Sequence, residues 1–405
     1  MKVAATNTSP APAVERADDG TETSRIFRTR LRAFLWGRSL AECIESGRDN
    51  ILQVRLVAAL LVIYGHSVLT GGSAGWIDLA HWVVPDLYTH VLGLFTFFLL
   101  SGILVTLSYI RTPHLVRFLR ARFLRIWPAL AVCALVWAFV LGPLLTEVPL
   151  ATYFSMHGAD SPYDYAAHIL SIFRISNALP GVFTHNWVAG QVNTPLWTIA
   201  VESTLYLWVA GAGVLRLLRL PWLTSFAIAG LFSYLVLWPM SRGQFELLGQ
   251  LRLTIEGFFG AGVILCLLRR YVRVSSGIML AIGIACGLAS RTTHHMPFAL
   301  LATGYAVLWI AYVPRLPEMP FRADFSYGTY LWGWPVQQTV LMLTHVKSPT
   351  ALFAIAAPIA VAIGALSWFC IEKPVLRLKD RRIVFPAWMR RLVAKPPPEP
   401  VSQPS

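Results

Sequence analysis

Residues 51–70 read ILQVRLVAALLVIYGHSVLT, a run of twenty in which Arg55 is the single charged residue. An α-helix rises about 1.5 Å per residue, so such a run reaches about 30 Å, the thickness of a bilayer's hydrocarbon core. It predicts a membrane-crossing helix, and the rest of the chain repeats the pattern. Working outward, similar apolar stretches occupy 88–110, 126–145, 195–215, 221–239, 250–268, 274–290, 297–313, 326–345 and 350–371. Composition agrees: of 405 residues, 56% are hydrophobic and 13% charged, where soluble domains carry roughly 25% charge. A soluble enzyme, a disordered chain and a small disulfide scaffold are excluded. The predicted fold class is all-α, a polytopic membrane protein built as a bundle of about ten transmembrane helices, multi-pass in the inner (plasma) membrane.

The net charge of +14 would suit a nucleic-acid binder, but in so apolar a chain it reports topology, because Lys and Arg are retained on the cytoplasmic side. With the N-terminus in the cytoplasm, alternating loops place 28 of the 34 Lys and Arg residues inside and 5 outside, with Arg55 inside the first span. The expectation is N-in/C-in, with the lipid bilayer as a partner and no nucleic acid.

Around the apolar spans the chain divides by composition. Residues 1–24 read as a disordered cytoplasmic tail without the apolar core of a cleavable signal. Residues 25–48 form a basic amphipathic juxtamembrane segment suited to an anionic membrane surface. The transmembrane domain occupies 49–375, and 376–405 is a basic, Pro-rich cytoplasmic tail. Five cysteines, Cys43, Cys133, Cys266, Cys286 and Cys370, show neither paired spacing nor a Cys/His metal pattern, so neither a disulfide framework nor a metal is expected. Gly71-Gly-Ser-Ala-Gly75 matches a GxSxG nucleophile elbow. It falls between two membrane helices instead of at a strand-to-helix turn, so it is read as a chance match.

Ionisable groups inside spans cost about 2.5–3.5 kcal/mol to insert, which makes each a functional candidate. Arg55 and His66 are eleven residues apart, three helical turns plus about 20°, so they share one face about 16 Å apart along the axis. Glu202 lies seven residues beyond Pro195, which predicts a depth close to that of His66 in the outer half of the membrane. Histidine is the usual general base near neutral pH, and a carboxylate can orient it. For each, the structural alternative is a packing or hydrogen-bonding role between helices. On the cytoplasmic side Arg117, Arg120, Arg122 and Arg125 crowd the start of the third span. Arg122 and Arg125, three apart, are helix neighbours able to grip one polyanion, although retention of positive charge inside also predicts arginines here. The long outer segment 146–194 mixes aromatic and polar residues, among them Asp164, Asn186 and Trp187, a combination that suits sugar rings as well as an interfacial belt.

Several short elements, in order, resemble the acyltransferase 3 family of ten-helix membrane acyltransferases. Arg55 to His66 is similar to its first-helix signature of a basic residue and a histidine eleven apart, and Phe97-Phe-Leu-Leu-Ser-Gly102 to its FFxxSG element. Arg122-Phe-Leu-Arg-Ile-Trp-Pro128 resembles RxxRIxP, and Pro195-Leu-Trp-Thr-Ile-Ala-Val-Glu202 with Tyr206-Leu207 resembles PLWxLxxE…YL. Ser326-Tyr-Gly-Thr-Tyr-Leu331 resembles SYxxYL, and Glu372-Lys-Pro374 the closing EKP. The chain departs from the common pattern after Tyr330-Leu331, where Trp332-Gly-Trp-Pro335 replaces xHxP and removes a second membrane histidine. It also resembles the stand-alone form without a soluble SGNH domain.

The resemblance implies an enzyme that moves an acyl group, most often acetyl, from cytoplasmic acyl-CoA to a hydroxyl of an extracytoplasmic glycan or lipid-linked oligosaccharide. Acyl-CoA is then a co-substrate, with no bound cofactor. His66 and Glu202 become the catalytic candidates, and Arg55, Arg122 and Arg125 the acyl-CoA binders. Ser101, Trp197 and Tyr330 become supporting residues, and Trp187, Asn186 and Asp164 acceptor contacts. The alternative reading of intramembrane Arg, His and Glu is a transporter or flippase, against which stands the absence of paired Gly/Pro-broken helices in the two halves.

Overall fold

The computed structural model describes residues 29, 31–32, 34–70, 78–158, 161–173, 176–242, 249–290, 292, 295–318 and 323–380. The 1–24 tail, the start of the basic amphipathic segment, the GxSxG-like Gly71–Gly75 and the tail beyond 380 lie outside them. Among the described residues, ten helices have twelve residues or more: α1 Ile51–Thr70, α2 Thr89–Arg111, α3 Leu115–Val136, α4 Trp197–Val214, α5 Pro221–Phe232, α6 Leu251–Leu267, α7 Ser276–Ala289, α8 His295–Tyr312, α9 Ser326–Thr344 and α10 Pro349–Ser367. Six are long and apolar enough to cross a membrane: α1, α2, α8, and α3, α5 and α10 with their C-terminal extensions. The described β-structure is one two-residue pair, Arg38–Ser39 with Arg273–Val274.

The extensions share one cause. Each of α3, α5 and α10 passes into a π-turn, at Trp137–Leu141, Ser233–Leu237 and Trp368–Glu372, and a proline follows two residues later, at Pro143, Pro239 and Pro374. Proline has no N–H, and its ring collides with the carbonyl four residues back. Widening the preceding turn to an i→i+5 bond, such as Lys373 N–H to Trp368 O, relieves the collision and lets the helix continue.

Two departures from the sequence expectation matter for the site. The third helix begins at Leu115 instead of near 126, capped by His114, so the arginines ride on the helix into the bundle. The 146–194 segment is only partly a surface loop. Helices Leu150–Ser155 and Pro162–Leu170 bury Tyr153 and Tyr165 completely, and residues 186–196 then descend along α9. Asn186 Nδ2 donates to Gln338 O (2.9 Å), Trp334 Nε1 to Gln191 O (3.0 Å), Asn193 Nδ2 to Leu331 O (3.0 Å) and Tyr330 OH to Pro195 O (3.0 Å). Irregular backbone at this depth persists because protein groups satisfy it. The contacts run from Gln338 to Tyr330, eight residues of α9 or about 12 Å.

Helix α9 is the central post, buried at nearly every position from Ser326 to Leu341, and it packs on α10 and α1. Gln337 Nε2 pins it to α1 at Ile63 O and Ser67 Oγ, both at 2.7 Å. On the other side of α1, α2 packs against α6, and there the helices meet backbone to backbone. A Cβ on Gly102 would lie 2.2 Å from Phe259 O, and one on Gly262 would lie 2.3 Å from Leu99 O. Small residues let membrane helices approach this closely. Gly102→Leu is expected to cost at least the 1–3 kcal/mol typical of overpacking, roughly. Thermal unfolding of detergent-solubilised protein will read this as a lowered midpoint or loss of the folded fraction, and an unchanged midpoint would refute the crossing.

Candidate active site

The arginines expected at one end of the bundle separate into two kinds. Arg125 Nη2 donates to Asp324 Oδ2 at 2.5 Å and Nη1 to Glu372 Oε2 at 2.8 Å. Asp324 also lies 3.5 Å from Arg55 Nε, which donates to Ser326 Oγ at 3.2 Å. Ser326 Oγ donates to Asp324 Oδ1 (2.5 Å) and Ser367 Oγ to Glu372 Oε1 (3.1 Å). The four charged side chains are 2–16% exposed. Two cations and two carboxylates neutralise one another, which makes burial of each tolerable. The π-turn ending at Glu372 places this carboxylate inside the bundle. Arg125, expected to grip a polyanion beside Arg122, is thus already held between two carboxylates and ties α3 to the foot of α9 and the end of α10.

Arg122 has no ion pair among the described residues. Its guanidinium lies 5.9 Å from the Phe118 ring centroid and 5.7 Å from that of Tyr206, and its buried Nε has no partner. Tyr206 OH in turn donates to Glu202 Oε1 at 2.5 Å, which also accepts from Ser101 Oγ at 2.8 Å. Glu202 faces a narrow slot shared with Arg55, Phe97, Thr198, Tyr327 and Tyr330. The slot's 40 Å³ has room for about three waters. Arg55 stacks 5.6 Å from the Phe97 centroid, Tyr330 meets the same ring edge-on at 5.8 Å, and Tyr330 OH bonds Thr198 Oγ1 at 2.6 Å. Trp197 is half-buried at the start of α4.

His66 sits elsewhere. Its ring lies 5.0 Å from Trp334, edge-on, and 5.4 Å from His90. His90 and Ser101 are eleven residues apart on the unbroken α2, so the Ser101–Glu202 contact and the His90–His66 contact are about 16 Å apart along it. This corrects the expectation that His66 and Glu202 share a depth. The sequence estimate measured from Pro195 as if it stood at the membrane surface, whereas the descending 186–196 segment carries Pro195 down to Tyr330. Glu202 therefore keeps company with Arg55 and does not touch His66. Among the described residues, the partly exposed His66 ring makes ring contacts and no side-chain hydrogen bond.

The loop candidates divide similarly. Asn186 bonds Gln338, one turn of α9 beyond Trp334, which brings it to the His66 end. Trp187 beside it is 73% exposed. Asp164 pairs with His168 at 3.1 Å on the helix packed against α3. Sequence reasoning missed Asp324 and Glu372 as the partners of Arg125, and His90 as the neighbour of His66. Two acidic residues flanking the last two apolar spans were the available signal for the first pair.

A helical bundle with six helices long and apolar enough to cross a membrane defines the class as a multi-pass membrane protein. Over residues 49–369 the chain matches the acyltransferase domain family, acyltransferase 3, and it belongs to that family; it is an O-acyltransferase. A protein named O-acetyl transferase from Shigella phage Sf6 is 25% identical over 348 residues, covering 80% of this chain and 94% of its own. Nodulation protein 10 of Rhizobium leguminosarum bv. viciae is 27% identical over 365 residues, covering 82% and 94%. No solved structure matches the chain.

Removing one partner of a buried ion pair costs about 3–5 kcal/mol, whereas an exposed pair is worth about 0–1 kcal/mol. Glu372→Gln should therefore lower the unfolding midpoint far more than Glu256→Gln, which breaks the exposed Arg252–Glu256 pair. Equal shifts would refute the clamp.

Proposed function

We propose that the enzyme moves an acetyl group from cytoplasmic acetyl-CoA to a hydroxyl of an extracytoplasmic or lipid-linked glycan, with His66 as the base. It does so as a ten-span protein of the inner (plasma) membrane with both ends in the cytoplasm, the arrangement that the 28-to-5 division of basic residues favours. The observation that carries the proposal is the placement of His66 at the end of the bundle opposite the arginines. Its imidazole is partly exposed and makes no side-chain hydrogen bond among the described residues.

In this reading Arg122, which has no ion pair among the described residues, meets the CoA phosphates. The thioester arm runs through the slot past Arg55 and Glu202 to His66. There a ring nitrogen takes the acceptor's hydroxyl proton while the oxygen attacks the thioester carbonyl. The C–O bond forms as the C–S bond breaks, and the proton passes from the imidazolium to the departing thiolate, giving the acetyl ester and free CoA. Glu202, held by the Ser101 and Tyr206 hydroxyls, serves as a positioning residue in the slot. Asn186 and Trp187 border the acceptor.

Loss of a general base typically costs 10²–10⁴-fold in rate, roughly. His66→Ala in folded, membrane-inserted protein should lose acetyl transfer by that factor with binding of CoA retained, and near-normal transfer would exclude the assignment. Arg122→Gln should raise KM for acetyl-CoA about tenfold or more with little change in kcat, since a charge-assisted hydrogen bond is worth about 1.5–3 kcal/mol. Mass spectrometry of cell-envelope glycans with and without the protein names acyl group and acceptor together; absence of any difference would count against a glycan acceptor.

A further inference from the structure

Where α2 turns into α3 beside the end of α4, a cavity of about 550 Å³ opens at the arginine end, a size within the range of small-molecule sites, about 300–1,000 Å³. Arg216, Arg219, His114 and Tyr109 line it over an apolar floor that includes Val116 and Leu218. No carboxylate is among the lining residues, and neither arginine has an ion pair among the described residues. Arg216 holds a left-handed backbone (φ 59°, ψ 13°) at the end of α4, a position where Gly or Asn normally stands. Backbone strain of this kind persists where surrounding structure enforces it. Gly213 has no side chain where a Cβ would lie 2.1 Å from the Tyr109 ring, so the ring packs directly on α4.

From the cavity's lining a series of packed side chains runs inward. Tyr109 meets Phe118 at 5.2 Å, the Arg122 guanidinium lies over Phe118 and Tyr206, and Tyr206 bonds Glu202 in the slot. Packed aromatic rings and the Arg122 guanidinium thus connect a nucleotide-sized cavity to the slot. We propose that the cavity binds the nucleotide end of acyl-CoA: the adenine against Tyr109 and the apolar floor, and the 3′-phosphate between Arg216 and Arg219. The diphosphate then reaches Arg122 and the pantetheine arm enters the slot. The inference rests on the acyl-CoA donor reading.

The test compares binding of CoA and 3′-dephospho-CoA to the full-length protein in zwitterionic nanodiscs, for the wild type and for Arg216→Asn/Arg219→Gln. Asparagine keeps the left-handed backbone accessible. Wild type should favour CoA by about ten- to a hundredfold. The double variant should bind both ligands with the wild type's affinity for dephospho-CoA, which also shows that it is folded. Equal binding of the two ligands by the wild type, or a preference kept by the double variant, overturns the site while leaving the donor reading intact. Failure of the wild type to bind either ligand overturns both. Equal binding by the wild type together with loss of co-purifying phosphatidylglycerol from the double variant would instead assign the arginines to a lipid headgroup.

Discussion

The interaction on which the rest depends is the double contact of Arg125 with Asp324 and Glu372. A guanidinium inside a membrane bundle must be matched in charge and hydrogen bonding, and here two carboxylates from two other elements supply both. One side chain on α3 thereby fixes the foot of α9 and the end of α10 together, and through Asp324 it also reaches Arg55 on α1. Three helices and the lead-in to α9 are registered by a single charge balance. Arg55 and Arg125 share the carboxylate, so a change at any member redistributes charge at the mouth of the slot.

The second constraint is the descent of residues 186–196 along α9. Backbone carbonyls that would be costly in lipid accept from Asn, Gln, Trp and Tyr side chains of the segment and the helix. This explains a polar and aromatic α9 in an otherwise apolar bundle, because its neighbours are protein groups that need partners. The descent also starts α4 deep in the bundle, which is why Glu202 opens on the Arg55 slot.

These two constraints leave polar groups at different depths. The arginine end holds cations without ion pairs among the described residues, the middle holds a narrow slot with a carboxylate, and the opposite end holds a partly exposed imidazole. Such an order suits a long substrate that is anchored by its charge at one end and reacts at the other, with the bulk of the bilayer excluded between them.

The helical membrane class and the acyltransferase family were legible in the sequence because bilayer thickness imposes a length on apolar runs, and because Arg55, His66, Ser101, Arg122, Glu202 and Tyr330 stand in short ordered motifs. The start of α3 at Leu115 was less so, since arginines satisfy a helix and a loop equally well. Pairing was not legible at all. Asp324 and Glu372 are 199 and 247 residues from Arg125, and no local pattern says which buried cation a distant carboxylate will neutralise. Depth was not legible either, because Pro195 looks like the surface start of a helix until the segment before it is seen on α9. The sequence by itself determined a helical membrane bundle and its acyltransferase family, through hydrophobic length and short ordered motifs. The tertiary structure decided which charges cancel and which stay available, since burial and partnership arise only when distant helices meet.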